Sequence, residues 1–256
     1  MAAVEGVKAA DLCLRILEYV AFEPEPAGVT QIAEFAGIAK SAAFKHLQTL
    51  IDHGFVVQDT ATTRYRLGPK SWLLSRHAQS LDDIAAVALP LMLAARNALG
   101  VAVVLSAPTP QSAFVLSTVA SNQQIEIGVK PGSQLSLHAS AQGKVFLAFG
   151  APELMQKLRQ GPLPRITPRT ITDPAALAAE LPLIRQRGYA TAPEQSLLGV
   201  NAIAAPVYNY DNTLIGSVGL IGSVQHILDD PQPELVARLC QLTADISAAL
   251  GHRATG

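Results

Sequence analysis

The sequence holds very little cysteine: Cys13 and Cys240 are the whole complement. Two thiols set in apolar helical patterns do not make a disulfide framework, and burial as free thiols is their ordinary state. A cytoplasmic setting is expected. No apolar run approaches the roughly 20 residues that a membrane-crossing helix needs. The opening "MAAVEGVKAADLC" carries acidic residues and no continuous apolar stretch, unlike a secretory leader. His138, His226 and His252 stand apart, without a Cys or second His at ligand spacing, so no metal site is expected. A G-x-S-x-G elbow is missing. "AQGK" (141–144) resembles a phosphate-binding loop, but its upstream glycine is misplaced and Val145 stands where Ser or Thr should follow. "GSVGLIG" (216–222) is not a dinucleotide fingerprint and lies inside a strand pattern, where Gly216, Gly219 and Gly222 leave room beside a sheet. No catalytic residue and no cofactor are assigned.

Charge is also sparse. Charged residues make up 15% of the 256 and hydrophobic residues 49%, which supplies core material for two domains. The few charges are unevenly placed. Residues 1–35 hold six acidic side chains against two basic ones, and residues 36–77 hold the reverse. A local basic excess points toward a polyanionic partner.

What the N-terminal part does contain is helical periodicity with clear stops. Cys13, Ile16, Leu17 and Val20 form one apolar stripe over residues 7–21. "EPEPAG" ends it, since two prolines and a glycine cannot continue a helix. Thr30 is the expected N-cap of a short helix over 31–36, and Gly37 its left-handed terminator. A third helix follows over 40–53, with Ala43, Phe44, Leu47, Leu50 and Ile51 as its buried stripe and Gly54 as its stop. Two helices joined by so tight a turn form a helix-turn-helix. "FVVQD" and "RYRL" then read as a hairpin around "TATT". Three helices and such a hairpin make a winged helix-turn-helix, in which the third helix enters the major groove of duplex DNA. The candidate DNA contacts are Lys40, Ser41, Ala42, Lys45, His46, Gln48 and Thr49 on that helix. Arg64 and Arg66 join them on the wing. Small polar side chains suit base edges, and Lys40, Lys45 and Arg64 suit phosphates.

Residues 68–100 are mostly helix-forming, and Pro90 should break or kink the run. Trp72, Leu73 and the Leu81, Ile84, Val87 series give more apolar surface than a bare linker needs, which points to dimerisation. Beyond residue 100 short apolar strands ("VAVVLS", "AFVLSTV", "AIAAPVY", "LIGSVGLI") and the alternating "QIEIGV" are interspersed with helical patterns at 138–150, 173–188 and 233–251. Asp173 is a suitable N-cap and Gly188 a suitable terminator for the second of these. The fold class is α+β with one mainly antiparallel sheet. A helix beginning near Ser140 would turn the free amides of Ala141, Gln142 and Gly143 outward. That arrangement is open to two readings, an anion site or a solvated helix start.

The motifs "VTQIAEFAGIAKSAAFKHLQTLIDHGFVVQD", "RYRLGPKSWLL", "LHASAQGKVFLAF", "TPRTITDPAALAAELPLIRQRGYA", "PEQSLLGVNAIAAPVYNYDNTLIGSVGLIG" and "ISAALG" occur in the order found in the IclR family of bacterial transcription regulators, and the chain resembles that family over nearly its whole length. The resemblance implies a winged helix-turn-helix at 1–69, a linker helix at 70–90 and a GAF-like effector-binding and oligomerisation domain at 91–256. It implies a homodimer or dimer of dimers on operator DNA, answering to a small carboxylic acid, and no membrane partner. Carried over residue by residue, the effector pocket would involve Ser140, Ala141 and Gln142 together with Ala192, Val200, Ala202, Gly219 and Ile221. Relatives that take very small polar acids tend to carry Asp, Cys or Ser at several of the last five positions. Here all five are apolar or small, which favours an aromatic acid. Asn201 either adds one polar contact or points away on the other side of its strand. Two rival readings remain: a C-terminal domain that is only an oligomerisation scaffold, and a DNA-binding module fused to an enzyme.

Overall fold

The computed structural model describes residues 6–77, 79–124, 126–158 and 163–253, leaving aside the side chains of residues 75–77, 79–83 and 157. The side chains of Arg76 and Leu81, and the whole of Ile125, therefore lie outside the described residues. The chain divides between residues 82 and 83 into two compact units.

The first unit runs through α1 (Lys8–Phe22), α2 (Val29–Ala36), α3 (Lys40–Asp52), β1 (Val56–Gln58), β2 (Tyr65–Leu67) and α4 (Pro69–His77). Ile16 and Val20 of α1 are buried, and Cys13 and Leu17 pack half-buried beside them. The expected cap at Thr30 is displaced. Gly28 caps α2, and its N–H donates to Gln31 Oε1 at 2.9 Å, so the helix opens two residues earlier than predicted. Gly37 ends it at φ 66°, a conformation that costs glycine little. Within α3 the core takes Ala43, Leu47 and Leu50, with Ile51 half-buried. Phe44, expected in the same stripe, is 51% exposed. The stripe is narrow, and Phe44 sits roughly a sixth of a turn beyond Leu47.

β1 and β2 pair antiparallel, Val56 opposite Leu67. Tyr65, buried in β2, also exchanges two backbone hydrogen bonds with Ala27 (2.8 and 3.1 Å), which pins the wing to the connection between α1 and α2.

The helix α5 (Gln79–Leu99) runs across the division and continues through Pro90 rather than breaking there. Its buried Ile84, Ala88 and Met92 lie against the core of the second unit, so packing on both sides of the proline offsets the lost hydrogen bond. The second unit then runs β3 (Ala102–Pro108), β4 (Ser112–Val119), β5 (Gln134–Ser136), α6 (Ala141–Phe149), α7 (Pro152–Leu158), α8 (Pro174–Arg187), β6 (Ala190–Thr191), β7 (Val200–Tyr208), β8 (Leu214–Ser223) and α9 (Pro233–Ala249). Six strands form one antiparallel sheet in the order β5-β4-β3-β8-β7-β6. One face buries Leu105, Ile203, Val207 and Leu220 against α5 and α9. The other buries Ala190 and Ala204 under α6 and α8.

Asp173 caps α8 by accepting from the Ala175 N–H, and Gly188 ends it at φ 82°, both as expected. The described part of "QIEIGV" is not a strand: residues 126–129 form part of an irregular connection between β4 and β5. Its alternation has another cause, described below. The short β5, β6 and α7 are additions to the expected elements; strands of two or three residues carry too little periodicity to be read.

Candidate functional site

Two regions gather the sequence-derived candidates. On the first unit, α3 exposes Lys40, Ser41, Lys45, Gln48 and Thr49, while Ala42 and His46 are half-buried on its flank. Gln48 Nε2 donates to Asp52 Oδ1 at 2.8 Å, and the Thr49 hydroxyl donates back to the Lys45 carbonyl at 3.1 Å. Both side chains are thus oriented by the helix itself. Arg64 and Arg66 are exposed on the wing. Arg64 Nη1 donates to the Pro26 carbonyl at 2.8 Å, which holds that guanidinium close to the body of the unit. At the tip of the wing, hydrogen bonds from Thr62 and from the Ala61 N–H hold the Asp59 carboxyl below the ordinary carboxylate range and close the turn.

On the second unit, the sheet face under α6 is built from small residues. Ala190, Ala204 and Gly219 stand opposite one another across β6, β7 and β8. A side chain at Gly219 would begin 2.6 Å from Gln142 Nε2, so the missing Cβ is what admits the Gln142 amide. In the next row of the sheet, Ala202 stands opposite Ile221, and the Ala192 N–H donates to the Ala202 carbonyl. A cavity of about 120 Å³ lies there, against the N-terminal end of α6.

The cavity is lined by Ser140, Ala141, Gln142, Ala192, Val200, Asn201, Ala202 and Ile221, which are eight of the nine residues expected for an effector. Gly219 is absent from the lining because Gln142 covers it. Asn201 belongs to the wall, but its Nδ2 donates to the carbonyls of Ile227 (3.1 Å) and Leu228 (2.7 Å). Of the two readings open for Asn201, the second fits: its amide is committed on the other face of β7. Ile127, Val129 and Leu135 complete one wall and Ser196 and Leu197 another, none of them anticipated. The alternation of "QIEIGV" was the available signal for Ile127 and Val129: there it marks residues that line the cavity, not a sheet position.

The donors at the helix end decide the chemistry. Ser140 Oγ donates to the Ser136 carbonyl and accepts from the Gly143 N–H at 3.0 Å, so Gly143 is not a free donor as expected. The first intrahelical bond runs from the Lys144 N–H to the Ser140 carbonyl. The amides of Ala141 and Gln142 remain open. Gln142 Nε2 is also buried without a partner. Leaving a buried donor unmet costs about 1–3 kcal/mol. Two open amides, those of Ala141 and Gln142, thus stand at an otherwise apolar cavity whose lining carries no charged side chain, while Gln142 Nε2 is turned against Gly219. Beyond Ile127 and Ile221 lies a wider cavity of about 380 Å³, but its Gln123, Gln124, Gln225 and His226 are exposed and it meets no open helix end.

The walls are fixed from outside. Thr167 and Thr170 donate to the carbonyls of Glu194 and Gln195, and Ser196 donates to the Ala139 carbonyl, each at 2.7 Å. Glu194, itself left-handed at φ 54°, accepts from the Gly199 N–H and from Arg169, and these bonds hold its carboxyl below the ordinary range. Arg169 also reaches Asp229 at 2.6 Å. Beneath the cavity, the fully buried Lys144 donates to Glu180 at 2.8 Å and to the Thr191 carbonyl at 3.2 Å, tying α6 to α8 and β6. Burial pushes its ammonium pKa down, against the attraction of Glu180. Among the described residues, no group of three or more His, Cys, Asp or Glu side chains could hold a metal, and no helix is long and apolar enough to cross a membrane.

Known proteins resemble this chain in both of its halves. Residues 9–60 match the family model described as the IclR helix-turn-helix domain, and residues 76–248 match the one described as bacterial transcriptional regulator IclR C-terminal. The glycerol operon regulatory protein of Streptomyces griseus is 31% identical over 226 residues, covering 88% of this chain and 89% of its own. The Thermotoga maritima IclR crystal structure superposes with a TM-score of 0.69 at 26% identity, over 95% of this chain and 98% of that one. An IclR homolog from Microbacterium hydrocarbonoxydans, solved in complex with 4-hydroxybenzoate, gives a TM-score of 0.77 at 22% identity, over 95% and 99% of the two chains.

Proposed function

The chain belongs to the IclR family of bacterial transcription regulators and is a DNA-binding regulator, not an enzyme; from that premise we propose that it reads operator DNA through α3 and its wing and senses a small, flat carboxylic acid in the C-terminal cavity. The observation that carries the second half is the pair of open amides, those of Ala141 and Gln142, on residues that line an apolar space. A carboxylate supplies the acceptors, and the helix dipole adds typically 0.3–1 kcal/mol for a fixed anion. The apolar row of Ala192, Ala202 and Ile221 suits a ring better than a two-carbon acid. The Microbacterium protein shares the fold and was solved with 4-hydroxybenzoate, which makes aryl acids the class to test first. This favours a sensing domain over a bare scaffold.

For DNA, Ser41, Lys45 and Gln48 share the outward face of α3. In the full chain, Lys45→Ala is expected to weaken duplex binding and to make the slope of log affinity against log salt shallower by about 0.9, the share of one phosphate contact. Changing Ser41, Lys45 and Gln48 together to Ala should remove sequence-specific binding by fluorescence anisotropy. Retained operator affinity in the triple variant would show that α3 is not the reading helix.

Two copies on a pseudo-palindrome multiply discrimination, and Leu73 and Leu74 of α4 stand 52% and 51% exposed, as an association surface would be. The working form is therefore a cytoplasmic homodimer or dimer of dimers. Light scattering at micromolar concentration should give at least twice the 26.9 kDa chain mass; a monomer would overturn this assignment.

A further inference from the structure

We propose that Phe44 is a specificity-determining residue that reads the C5 methyl of a thymine in the major groove; the proposal rests on α3 being the reading helix. Phe44 lies in the second turn of α3, where recognition helices meet base edges. It is 51% exposed, although Ala43 and Leu47 beside it are fully buried. About half of the ring is left open by its own unit, and among the described residues neither the Tyr19–Phe35 stack nor the Arg15–Phe35 and Lys70–Phe55 contacts use Phe44. Ser41 lies one turn before it and Gln48 one turn after, and Lys40 and Lys45 stand exposed beside it. Two cations flanking an apolar ring match a surface that is anionic at its margins and apolar at one point. In a major groove the edges of bases are polar, and the thymine methyl is the apolar element presented there. A phenyl ring makes no hydrogen bond to a base, so Phe44 selects by excluding water from that methyl.

The test uses the full chain and a duplex selected from a random pool by the wild-type protein. Each thymine is replaced in turn by deoxyuridine, which removes the methyl and keeps the pairing. Wild type should lose about fourfold in affinity at one thymine per half-site, the worth of one buried methyl. Phe44→Ala should bind the thymine duplex more weakly and show no preference between thymine and deoxyuridine at that position. Phe44→Leu, which keeps an apolar side chain, should retain part of the preference, and both variants should keep the wild-type melting temperature because the ring is outside the core. Equal wild-type affinity at every substituted position would overturn the proposal. So would a thymine preference that survives in Phe44→Ala. Either result leaves α3 as the reading helix as long as the triple change at 41, 45 and 48 still removes binding. If the triple variant binds normally, the reading of α3 itself is what has failed.

Discussion

Gly143→Ala should lower the melting temperature of the C-terminal unit by about 6–12 °C. A Cβ at Gly143 would stand 2.5 Å from Leu137 Cα and closer still to the Ser136 carbonyl oxygen. Both are backbone atoms at the end of β5, so no side chain can swing aside. The helix cannot retreat either. Gln142 is seated over Gly219 on one side, and Lys144 is bonded to Glu180 and Thr191 on the other. Overpacking of this kind costs typically 1–3 kcal/mol and occasionally more. Backbone in front and a helix pinned behind put this case at about 3 kcal/mol, and for a unit of this size each kcal/mol is worth about 2–4 °C. Calorimetry gives the shift. Hydrogen exchange locates it: amides of α6 and β7 should lose protection while those of α1–α3 do not change. An unshifted melting temperature would mean that α6 does not sit this close to residues 136–137.

The same glycine shows what the sequence could and could not convey. "AQGK" was legible as a helix start, because Ser140 is a good cap and the apolar run after it is long. That Gly143 is a close-approach residue was not legible, since the strand it meets, Gln134–Ser136, is too short to leave a pattern. The N-terminal unit was more readable. Its stops at Gly37 and Gly54 are positive-φ glycines, and local chemistry alone dictates them. The misreadings there have the opposite origin. Thr30 lost its capping role to a side chain–backbone bond between Gln31 and Gly28, and Phe44 lost its core seat to a stripe narrower than periodicity implies. In the cavity, residues that the family resemblance supplied were found lining it, Gly219 excepted. Ile127, Val129 and Leu197 were missed because they come from irregular segments, whose position depends on tertiary bonds such as those from Thr167 and Thr170.

Ala202→Asp should abolish binding of benzoate while leaving DNA binding intact. Ala202 is half-buried in the cavity wall, opposite Ile221. A carboxylate there acts in two ways, and both oppose an acidic ligand. It places a negative charge within about 4–5 Å of the incoming one, a repulsion of about 3–4 kcal/mol at the effective dielectric of such sites. It can also accept from the open donors at Ala141 and Gln142, removing the partners the ligand needs. Either effect corresponds to a loss of about a hundredfold or more. The neutral Ala202→Asn separates charge from bulk: it should lose much less than Ala202→Asp, since it adds nearly the same volume without the charge. Wild type should in turn prefer benzoate to glyoxylate. Covering about 100 Å² of ring at about 25 cal/mol per Å² contributes about 2.5 kcal/mol that a two-carbon acid cannot gain. Titration calorimetry of the full chain with both acids, on wild type and the two variants, measures all of this. Equal benzoate affinity in wild type and Ala202→Asp would mean that the acid does not bind at this cavity. A wild-type preference for glyoxylate would mean that the open donors are read correctly but the apolar row of Ala192, Ala202 and Ile221 is not what selects the ligand.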